Sequence, residues 1–499
     1  MENLILILVS LKNKQTMHSN PQPKPNMKNS ILLIAAGLTL CVPANIHAQG
    51  SLTPPAGPPA PVMKSLAQIE PRTDVVTLPI GLNGAYSITQ PGSYYLTANL
   101  VGGAAISGIE IKTNNVTIDL NGFALIGAGG IRGICVNGTG FQRIAVRNGR
   151  VTGYYSGIDC ASVLGTNNNV TVEDVQVVGF GGTGKGITCG EGLQVRRCQI
   201  SGFSPSSSAA IIAGSAAQIS DCLVQSNYAG IMVGSNSVLR AVIARSHSIY
   251  GISVGSESQV LDCEATSNGS DGIEAGSNSV LSRCLASKNN QFGVVAQYYS
   301  TINACSANSN GSGGITAYNN SLIRDCNTSG NLGGGIAASP PASILNCIAV
   351  NNTGNGIESG GLINGCNAAD NGGDGISVGD KSSVVNNMCS GNGSDGIHVY
   401  GANSSVVNNT CSGNGTAADS GIFVNAAGGH IENNTASGHL GYGFKFLGNA
   451  TASIVVANKA RGNGTNYLFL ATPMSFGPVV NVSGGGMITT NSPWANFSY

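Results

Sequence analysis

The sequence predicts an all-β fold, a single right-handed parallel β-helix of about 15 coils. Three observations support this prediction. A Gly-Ile pair or its close equivalent recurs at a nearly constant spacing, apolar positions alternate after each pair, and one residue type returns at the same place in successive repeats. A repeat this short cannot bury its own apolar face, so it must stack on its neighbours. We call each pair a Gly-Ile mark, and the glycines of these marks are Gly108, Gly133, Gly157, Gly186, Gly230, Gly251, Gly272, Gly293, Gly314, Gly335, Gly356, Gly375, Gly396 and Gly421.

The residues after each glycine predict a short buried strand. With glycine as position zero, position one is aliphatic, as at Ile252 and Ile273, and position three is small or β-branched, as at Val254 and Ala275. This period of two puts both positions on one face of a strand. Stacking in register would bring equal positions to about 4.8 Å from each other, and the preferred crossover of parallel strands makes the winding right-handed.

Position twelve predicts a column of buried cysteines. Because the side chains of one column point the same way, we expect free thiols that behave as small apolar groups, with disulfides between neighbouring coils as the alternative. The column contains Cys198, Cys222, Cys263, Cys284, Cys305, Cys326 and Cys347.

Position seventeen predicts a second ladder, made of asparagine. Asparagine tolerates left-handed backbone geometry and hydrogen-bonds neighbouring amides, so we expect a stacked ladder at a turn. Its members are Asn227, Asn268, Asn289, Asn310, Asn331 and Asn352, with His247 in one coil.

The N-terminal segment that precedes the repeats predicts export. Lys28 precedes an apolar run over residues 31–42, and Ala48 ends a segment typical of a signal-peptide cleavage site. We therefore predict a signal and upstream segment at 1–48, a Pro-rich linker at 49–68, and a β-helix with caps at both ends at 69–499. No later run is long enough to span a bilayer. We expect a monomer without a transmembrane segment after cleavage, located in the periplasm, at the cell surface or outside the cell.

Composition limits the partners. The formal net charge is zero, only 9% of residues are charged, and no basic run occurs. Phosphate binding needs a positive surface, so nucleic acid is not an expected partner. The 41% hydrophobic content predicts a packed core despite the 72 glycines.

The repeat Gly-Ile-x-Val…Ser-x-Ile-x-x-Cys-x-Ala-x-x-Asn resembles the right-handed parallel β-helix proteins of the pectate-lyase-like superfamily. The N-terminal segments 90–96 (QPGSYYL) and 115–123 (NVTIDLNGF) are similar to a subgroup of exported bacterial β-helix proteins without assigned activity. The resemblance covers about residues 63–499. It implies the fold rather than one function, because the superfamily includes lyases, hydrolases, adhesins and polysaccharide-binding proteins.

The resemblance also indicates what chemistry to look for. Lyases of the superfamily bind calcium through clustered acidic residues and use a lysine or arginine base, whereas its hydrolases use aspartates, including an Asp-Asp pair, with nearby His and Arg-x-Lys. This sequence contains neither an Asp-Asp pair nor an Arg-x-Lys motif, which argues against hydrolase chemistry.

Asp374, Asp395 and His398 are the candidate catalytic residues. The two aspartates precede Gly-Ile pairs on consecutive coils, so their carboxylates could stack about 5 Å apart, the spacing of a retaining glycosidase pair. His398 lies three residues after Asp395, on the outward side of the strand. The group could act in acid–base chemistry or bind calcium; no other metal is predicted. The alternative is that the aspartates bond backbone amides in a Gly-rich turn.

Two aromatic groups are the candidate polysaccharide-binding residues. Aromatic rings support sugar rings and carboxylates bind hydroxyl groups, although packing over turn backbone is the alternative. One group consists of Tyr250, Asp271 and Phe292 on three consecutive coils, with Glu274 beside them, and the other contains Tyr298, Tyr299 and Tyr318 on another corner.

We predict an exported surface protein that binds a polysaccharide or cell-surface glycan, or has a structural or adhesive role. This prediction rests on a long, regular, nearly uncharged surface rich in Ser, Thr and Asn. Whether the protein is an enzyme is left open. The alternative function is that of a polysaccharide lyase or glycoside hydrolase acting in a groove along the helix, with the inserts 162–185 and 401–420 as walls.

Overall fold

The computed structural model describes residues 71–499 except 82–83, 139, 163–164, 167, 182–183, 205, 207 and 483–487. Over these residues the chain forms a right-handed parallel β-helix, which confirms the predicted fold class. The described residues contain no α-helix, only one 3₁₀ turn at Val75–Thr77. The predicted signal segment 1–48 and linker 49–68 lie outside the described residues.

The helix has about 19 turns, so the prediction of 15 coils is too low. Coils at both ends lack the Gly-Ile mark. Tyr86 pairs with Ile109 and Tyr467 pairs with Phe444, which puts Ala85 and Asn466 where glycine stands in the neighbouring coils. A search for the mark therefore misses these coils.

Sheet 1 is the face formed by the strands that follow the Gly-Ile marks. Ile252 pairs with Ile273 and Val254 with Ala275, so equal positions of successive coils stack as predicted. Its separate strands are Tyr86–Ile88, Ile109–Ile111, Ile187–Cys189, Ala209–Ala213, Ala229–Val233, Ile252–Val254, Ile273–Ala275, Val294–Ala296, Ile315–Ala317, Ile376–Val378, Ile397–Val399, Ser420–Val424, Tyr442–Phe446 and Thr465–Phe469.

Sheet 2 follows sheet 1 along the chain in each coil. Its separate strands are Thr73–Asp74, Gly92–Tyr95, Val116–Asp119, Gln194–Arg196, Gln218–Ser220, Val238–Arg240, Gln259–Leu261, Val280–Ser282, Thr301–Asn303, Leu322–Arg324, Ser383–Val385, Ser405–Val407, His430–Glu432, Ile454–Val456 and Ser475–Phe476.

Sheet 3 completes the coil. Its separate strands are Leu100–Val101, Gln199–Ser201, Leu223–Gln225, Ile243–Arg245, Glu264–Thr266, Leu285–Ser287, Ser306–Asn308, Asn327–Ser329, Ile348–Val350, Asn367–Ala369, Met388–Ser390, Thr410–Ser412, Thr435–Ser437, Lys459–Arg461 and Asn496–Ser498, with Val479–Asn481 beside the last.

Five long strands contribute to more than one sheet. They are Ala124–Val136, Gln142–Asp159, Asn168–Gly179, Ile336–Leu345 and Ile357–Asn364. A small antiparallel pair, Ala161–Ser162 with Gly165–Thr166, lies outside the three sheets.

Each regular coil bends at three residues with left-handed backbone. In the coil that starts at Gly251 they are Glu257, Asp262 and Ser267, with φ between 55° and 59°. Single left-handed residues turn the chain sharply without adding length, which keeps each coil short.

The asparagine ladder is present and hydrogen-bonded from coil to coil. The Asn289 side chain donates to Asn310 Oδ1 at 3.0 Å and to the Ala265 carbonyl at 3.1 Å, and the Asn289 backbone N–H reaches the same Oδ1 at 3.1 Å. The left-handed geometry belongs to the preceding residue, here Lys288 with φ 56°, rather than to the asparagine. The bend comes first because the ladder side chain must point inward to reach the next coil.

The cysteine column is buried and forms no disulfides, as predicted. It continues to Cys366, after which asparagine takes the same place. The Cys366 N–H donates to Asn387 Oδ1 at 2.8 Å, and Asn387 donates to Asn409 Oδ1 at 2.9 Å. A second asparagine ladder therefore replaces the thiols toward the C-terminus.

Stacked aromatic rings fill the last coils. Phe446 lies 5.3 Å from Phe469, which lies 4.4 Å from Phe476, and Phe444 stacks on Tyr467 at 5.1 Å. Trp494 is 57% exposed and is not part of this stack. No helix in the described part of the chain is both long and apolar enough to cross a membrane.

Candidate functional site

The outer face of sheet 1 positions the candidate site. Position two of each strand points outward, because positions one and three point into the core. Register pairing aligns these outward residues in a column along the axis, about 4.8 Å apart. In the C-terminal half the column contains Glu358, Ser377, His398, Phe423 and Lys445.

Asp374, Asp395 and His398 converge as the sequence predicts. Their ligand atoms lie within 4.8 Å of one another, and His398 Nδ1 is 3.2 Å from Asp374 Oδ2. The aspartates also bond backbone amides: Asp374 Oδ1 accepts from the Asp395 N–H at 3.1 Å, and Asp395 Oδ1 accepts from the Ser420 N–H at 2.6 Å. One oxygen of each carboxylate therefore bonds a backbone amide, as in the alternative interpretation of these aspartates as turn residues. The other oxygen of Asp374 contacts His398.

The two carboxyl groups differ in acidity. Burial, and next the negative charge of Asp374, raise the pKa of Asp395 to about 6. Burial also acts to raise the pKa of Asp374, but hydrogen bonds from His398 and Ser394 outweigh it and the pKa is lowered. Burial lowers the pKa of His398, whereas the bond to Asp374 and the charges of both aspartates raise it, and the net direction is upward.

Aromatic rings surround His398. Its ring stacks on Phe423 at 4.7 Å and meets the edge of Tyr400 at 5.9 Å. Its buried Nε2 forms no hydrogen bond with the described residues. Nε2, opposite the bond to Asp374, is therefore the ring nitrogen without a hydrogen-bond partner among the described residues.

The cluster matches calcium poorly. Calcium prefers six to eight oxygen ligands. Here the donors are one imidazole and two carboxylates, and three of the four carboxylate oxygens already have partners at hydrogen-bonding distance. This donor set suits proton transfer better than it suits calcium.

A groove runs along the corner beside the cluster. It encloses about 250 Å³, and its lining includes Thr316, Pro340, Glu358, Ser359, Gly379 and Tyr400. These residues come from five successive coils, so the groove extends roughly 19 Å at about 4.8 Å per coil. The Ser359 hydroxyl is buried and forms no hydrogen bond with the described residues. Tyr400 belongs both to the groove and to the surroundings of His398.

The pair Tyr298 and Tyr318 lies near the Thr316 end of the groove, and Tyr400 lies at the opposite end. Their ring centroids are 5.4 Å apart and both side chains are exposed, 45% and 37%. Tyr318 follows the groove residues Thr316 and Ala317 directly in the chain. The structure therefore brings this predicted pair into line with Tyr400 on the same corner.

The predicted group Tyr250, Asp271, Phe292 and Glu274 is adjacent in space but half-buried. Asp271 Oδ1 accepts from the Phe292 N–H at 2.8 Å, and Phe292 packs on the backbone of Gly313. Burial raises the pKa of Asp271 and of Glu274. These contacts favour the packing alternative for this group.

The predicted walls of a cleft are described in part. Insert 162–185 includes undescribed residues. In insert 401–420 the added residues form a corner in which Asp419 Oδ2 accepts from the Thr416 N–H at 2.7 Å. The Ala418 carbonyl accepts from Lys445 Nζ at 2.9 Å, which places this corner beside the outward column.

Sequence reasoning missed Tyr400, Phe423 and Glu358. Each could have been found by following outward positions through the aligned coils, because Phe423 and Glu358 share position two with His398 and Tyr400 occupies position four. The prediction followed the inward columns instead.

Comparisons with known proteins concern the fold. The A-module of a mannuronan C-5 epimerase from Azotobacter vinelandii is 13% identical over 77% of this chain and 91% of its own, with a TM-score of 0.31. The catalytic domain of a GH87 alpha-1,3-glucanase is 11% identical over 67% and 66%, with a TM-score of 0.30. Pectate lyase Pel9A is 14% identical over 62% and 70%, with a TM-score of 0.26.

No curated protein sequence matches the chain. A family model described as "Right handed beta helix region" matches residues 238–361 and 358–496, together just over half of the chain. Both matches fall on the most regular coils, and the chain belongs to the right-handed β-helix family.

Proposed function

We propose that this is an exported protein that binds a polysaccharide along the corner groove of sheet 1. The observation that carries the proposal is the line of exposed tyrosines, Tyr298 and Tyr318 near one end and Tyr400 at the other, with the groove between them. Polymers suit such a site because it extends over several coils in one direction.

The lining offers the two kinds of contact that a sugar ring makes, apolar stacking and hydrogen bonding. Tyrosine rings offer flat apolar surfaces for stacking, while Glu358 and the unpartnered hydroxyl of Ser359 offer hydrogen bonds to sugar hydroxyl groups. The rigid stack of coils holds these groups in place before binding, which reduces the entropy lost on association.

We expect Tyr400→Ala to weaken polysaccharide binding by about tenfold, because one stacked ring contributes on the order of 1–1.5 kcal/mol beyond its buried area. Affinity electrophoresis against a panel of polysaccharides would measure the change. Tyr155→Ala is the matched control, since Tyr155 is 39% exposed and lies in the strand Gln142–Asp159, several coils before the groove. Equal affinities of the wild type and Tyr400→Ala would contradict the proposal.

A second candidate function is cleavage of a glycosidic bond at Asp374, Asp395 and His398. The specific observation in its favour is that the pKa of one carboxyl is lowered and that of its neighbour is raised to about 6, as in acid–base pairs. In this mechanism Asp395 donates a proton to the leaving oxygen as its bond to the anomeric carbon breaks. Water attacks that carbon, and the neutral form of His398, oriented through Nδ1 by Asp374, accepts the water's proton at Nε2.

If this second function holds, Asp395→Asn should lower cleavage by at least about 100-fold, because asparagine cannot donate the proton. Release of reducing ends measures hydrolysis, and ultraviolet absorption of unsaturated products measures lyase activity. A wild-type protein that binds a polymer but is silent in both assays would leave binding as the sole function.

A further inference from the structure

The charge around the groove is one-sided. From Gly314, where the first groove coil begins, to Ser420 the sequence contains seven acidic residues and only two basic residues, Arg324 and Lys381. The acidic residues are Asp325, Glu358, Asp370, Asp374, Asp380, Asp395 and Asp419. The coils that carry the groove and the Asp–His cluster therefore have a negative excess in a protein whose net charge is zero.

Two cationic side chains beside the Asp–His cluster are already engaged, and Lys381, two residues after the groove residue Gly379, is an exposed lysine outside the groove lining. Lys445 donates to the Ala418 carbonyl at 2.9 Å and its Nζ lies 5.0 Å from the ring centres of Phe423 and Tyr442. His398 is paired with Asp374. The described lining of the groove contains Glu358 and no lysine or arginine.

We infer that the groove selects a polysaccharide that carries no carboxylate or sulfate groups; this inference rests on the proposed function. Recognition of a polyanion normally relies on arginine or lysine at regular intervals, which pair with each acidic group and attract the polymer from a distance. Here a polyuronate would meet Glu358 along the groove, and the Asp374–Asp395 cluster lies beside it, next to His398, whose ring meets Tyr400. A neutral sugar can instead donate hydrogen bonds from its hydroxyl groups to Glu358.

Calcium is the chemical route by which a polyuronate could still bind, since a bound cation reverses local charge. The poor match of the Asp–His cluster to calcium argues against this route at the site. Measurements with and without calcium separate the two cases.

The test compares binding of the mature protein to neutral glucans, mannans and xylans with binding to alginate and polygalacturonate. Each is measured at 20 mM and 300 mM NaCl, in EDTA or in 2 mM calcium chloride. We expect at least one neutral polymer to bind with little dependence on salt, and the polyuronates to bind at least tenfold more weakly in both EDTA and calcium. Polyuronate binding as tight as neutral binding, in EDTA or after calcium is added, would overturn the inference but leave the proposed function intact. No binding to any polymer would contradict the proposed function itself.

A charge reversal sharpens the test. Glu358→Lys should raise affinity for polyuronate at least tenfold at 20 mM NaCl, and the gain should shrink at 300 mM NaCl because salt screens surface charge. Glu257→Lys is the control, because it makes the same change of charge at an exposed position outside the groove lining. Equal responses of the two variants would show that the groove does not discriminate by charge.

Discussion

At the scale of single residues, Asp395 is the side chain whose environment differs most from water at the candidate site. The residue is 6% exposed, and its carboxyl accepts a hydrogen bond from one backbone amide and lies beside a second carboxylate. Burial and the charge of Asp374 both penalise its ionised form. The site therefore keeps a proton on Asp395 up to weakly acidic pH, at a cost to stability above that range.

Replacing Asp395 by asparagine should remove that cost. The pKa of Asp395 is about 6 in the folded protein and about 3.9 in an unfolded chain, so the folded state holds more protons between these values. Stability contributed by this group is present below pH 4 and is lost as pH rises through 6. We expect Asp395→Asn to be about 2–3 kcal/mol more stable than the wild type at pH 7.5 and nearly equal at pH 4, because asparagine can still accept from the Ser420 N–H.

Urea unfolding of both proteins at several pH values measures this difference. The comparison is repeated in a His398→Gln background, because the charge of Asp395 contributes to the raised pKa of His398. A stability difference that does not change with pH would contradict the assigned cause.

At the scale of elements, the ladders at the corners hold the coils in register. Asn310 donates to Asn331 Oδ1 at 2.9 Å and to the Ala286 carbonyl at 3.2 Å, and it accepts from the N–H and side chain of Asn289. A buried amide in this position satisfies the polar groups of three coils at once. The ladder therefore links strands that are too short to fix their own alignment.

Asn310→Ala should destabilise the protein by about 3 kcal/mol, because it removes the acceptor of the Asn289 backbone and side-chain N–H groups and the side-chain donor to the Ala286 carbonyl in the core. Asn290→Ala, at an exposed position of the preceding coil, should change stability by less than about 0.5 kcal/mol. Thermal unfolding of the three proteins compares the effects. Similar losses in both variants would show that the ladder has no special role.

At the scale of the whole molecule, stability comes from continuous stacking rather than from covalent links. Apolar columns run through the core from Val75 to Ala471, and each coil contributes a few residues to them. The eight cysteines of the position-twelve column belong to this core as small apolar groups, and so do Cys389 and Cys411, which pair in register as a second inner column. End coils have only one neighbour, so the aromatic stack of Phe446, Phe469 and Phe476 adds apolar area where coil stacking stops.

The melting temperature should therefore be the same with and without dithiothreitol. Thiol titration in denaturant, without reductant, should detect at least the ten cysteines of the inner columns, whereas the native protein should react slowly because these thiols are buried. A fall in melting temperature on reduction, or a thiol count near zero, would contradict this account. The ten are Cys198, Cys222, Cys263, Cys284, Cys305, Cys326, Cys347, Cys366, Cys389 and Cys411.

Much of the fold could be predicted because residues at equal positions of successive repeats become neighbours when the coils stack. Ile252 and Ile273 occupy the same position of successive repeats and pair directly, so their spacing alone implied the stacking, the cysteine column and the asparagine ladder. The same logic brought Asp374, Asp395 and His398 together before their geometry was known. The end coils could not be predicted in this way, because Ala85 and Asn466 replace the glycine that marks the repeat.

The sequence by itself determined the winding, the inward columns and the meeting of Asp374 with Asp395. Only the tertiary structure decided that Tyr400 lines one groove with Thr316, four coils away, and that Phe423 stacks on His398. The physical reason is that inward side chains must repeat to fill a continuous core. Outward side chains need not repeat from coil to coil, so their exposure, pKa values and contacts depend on the tertiary structure around them.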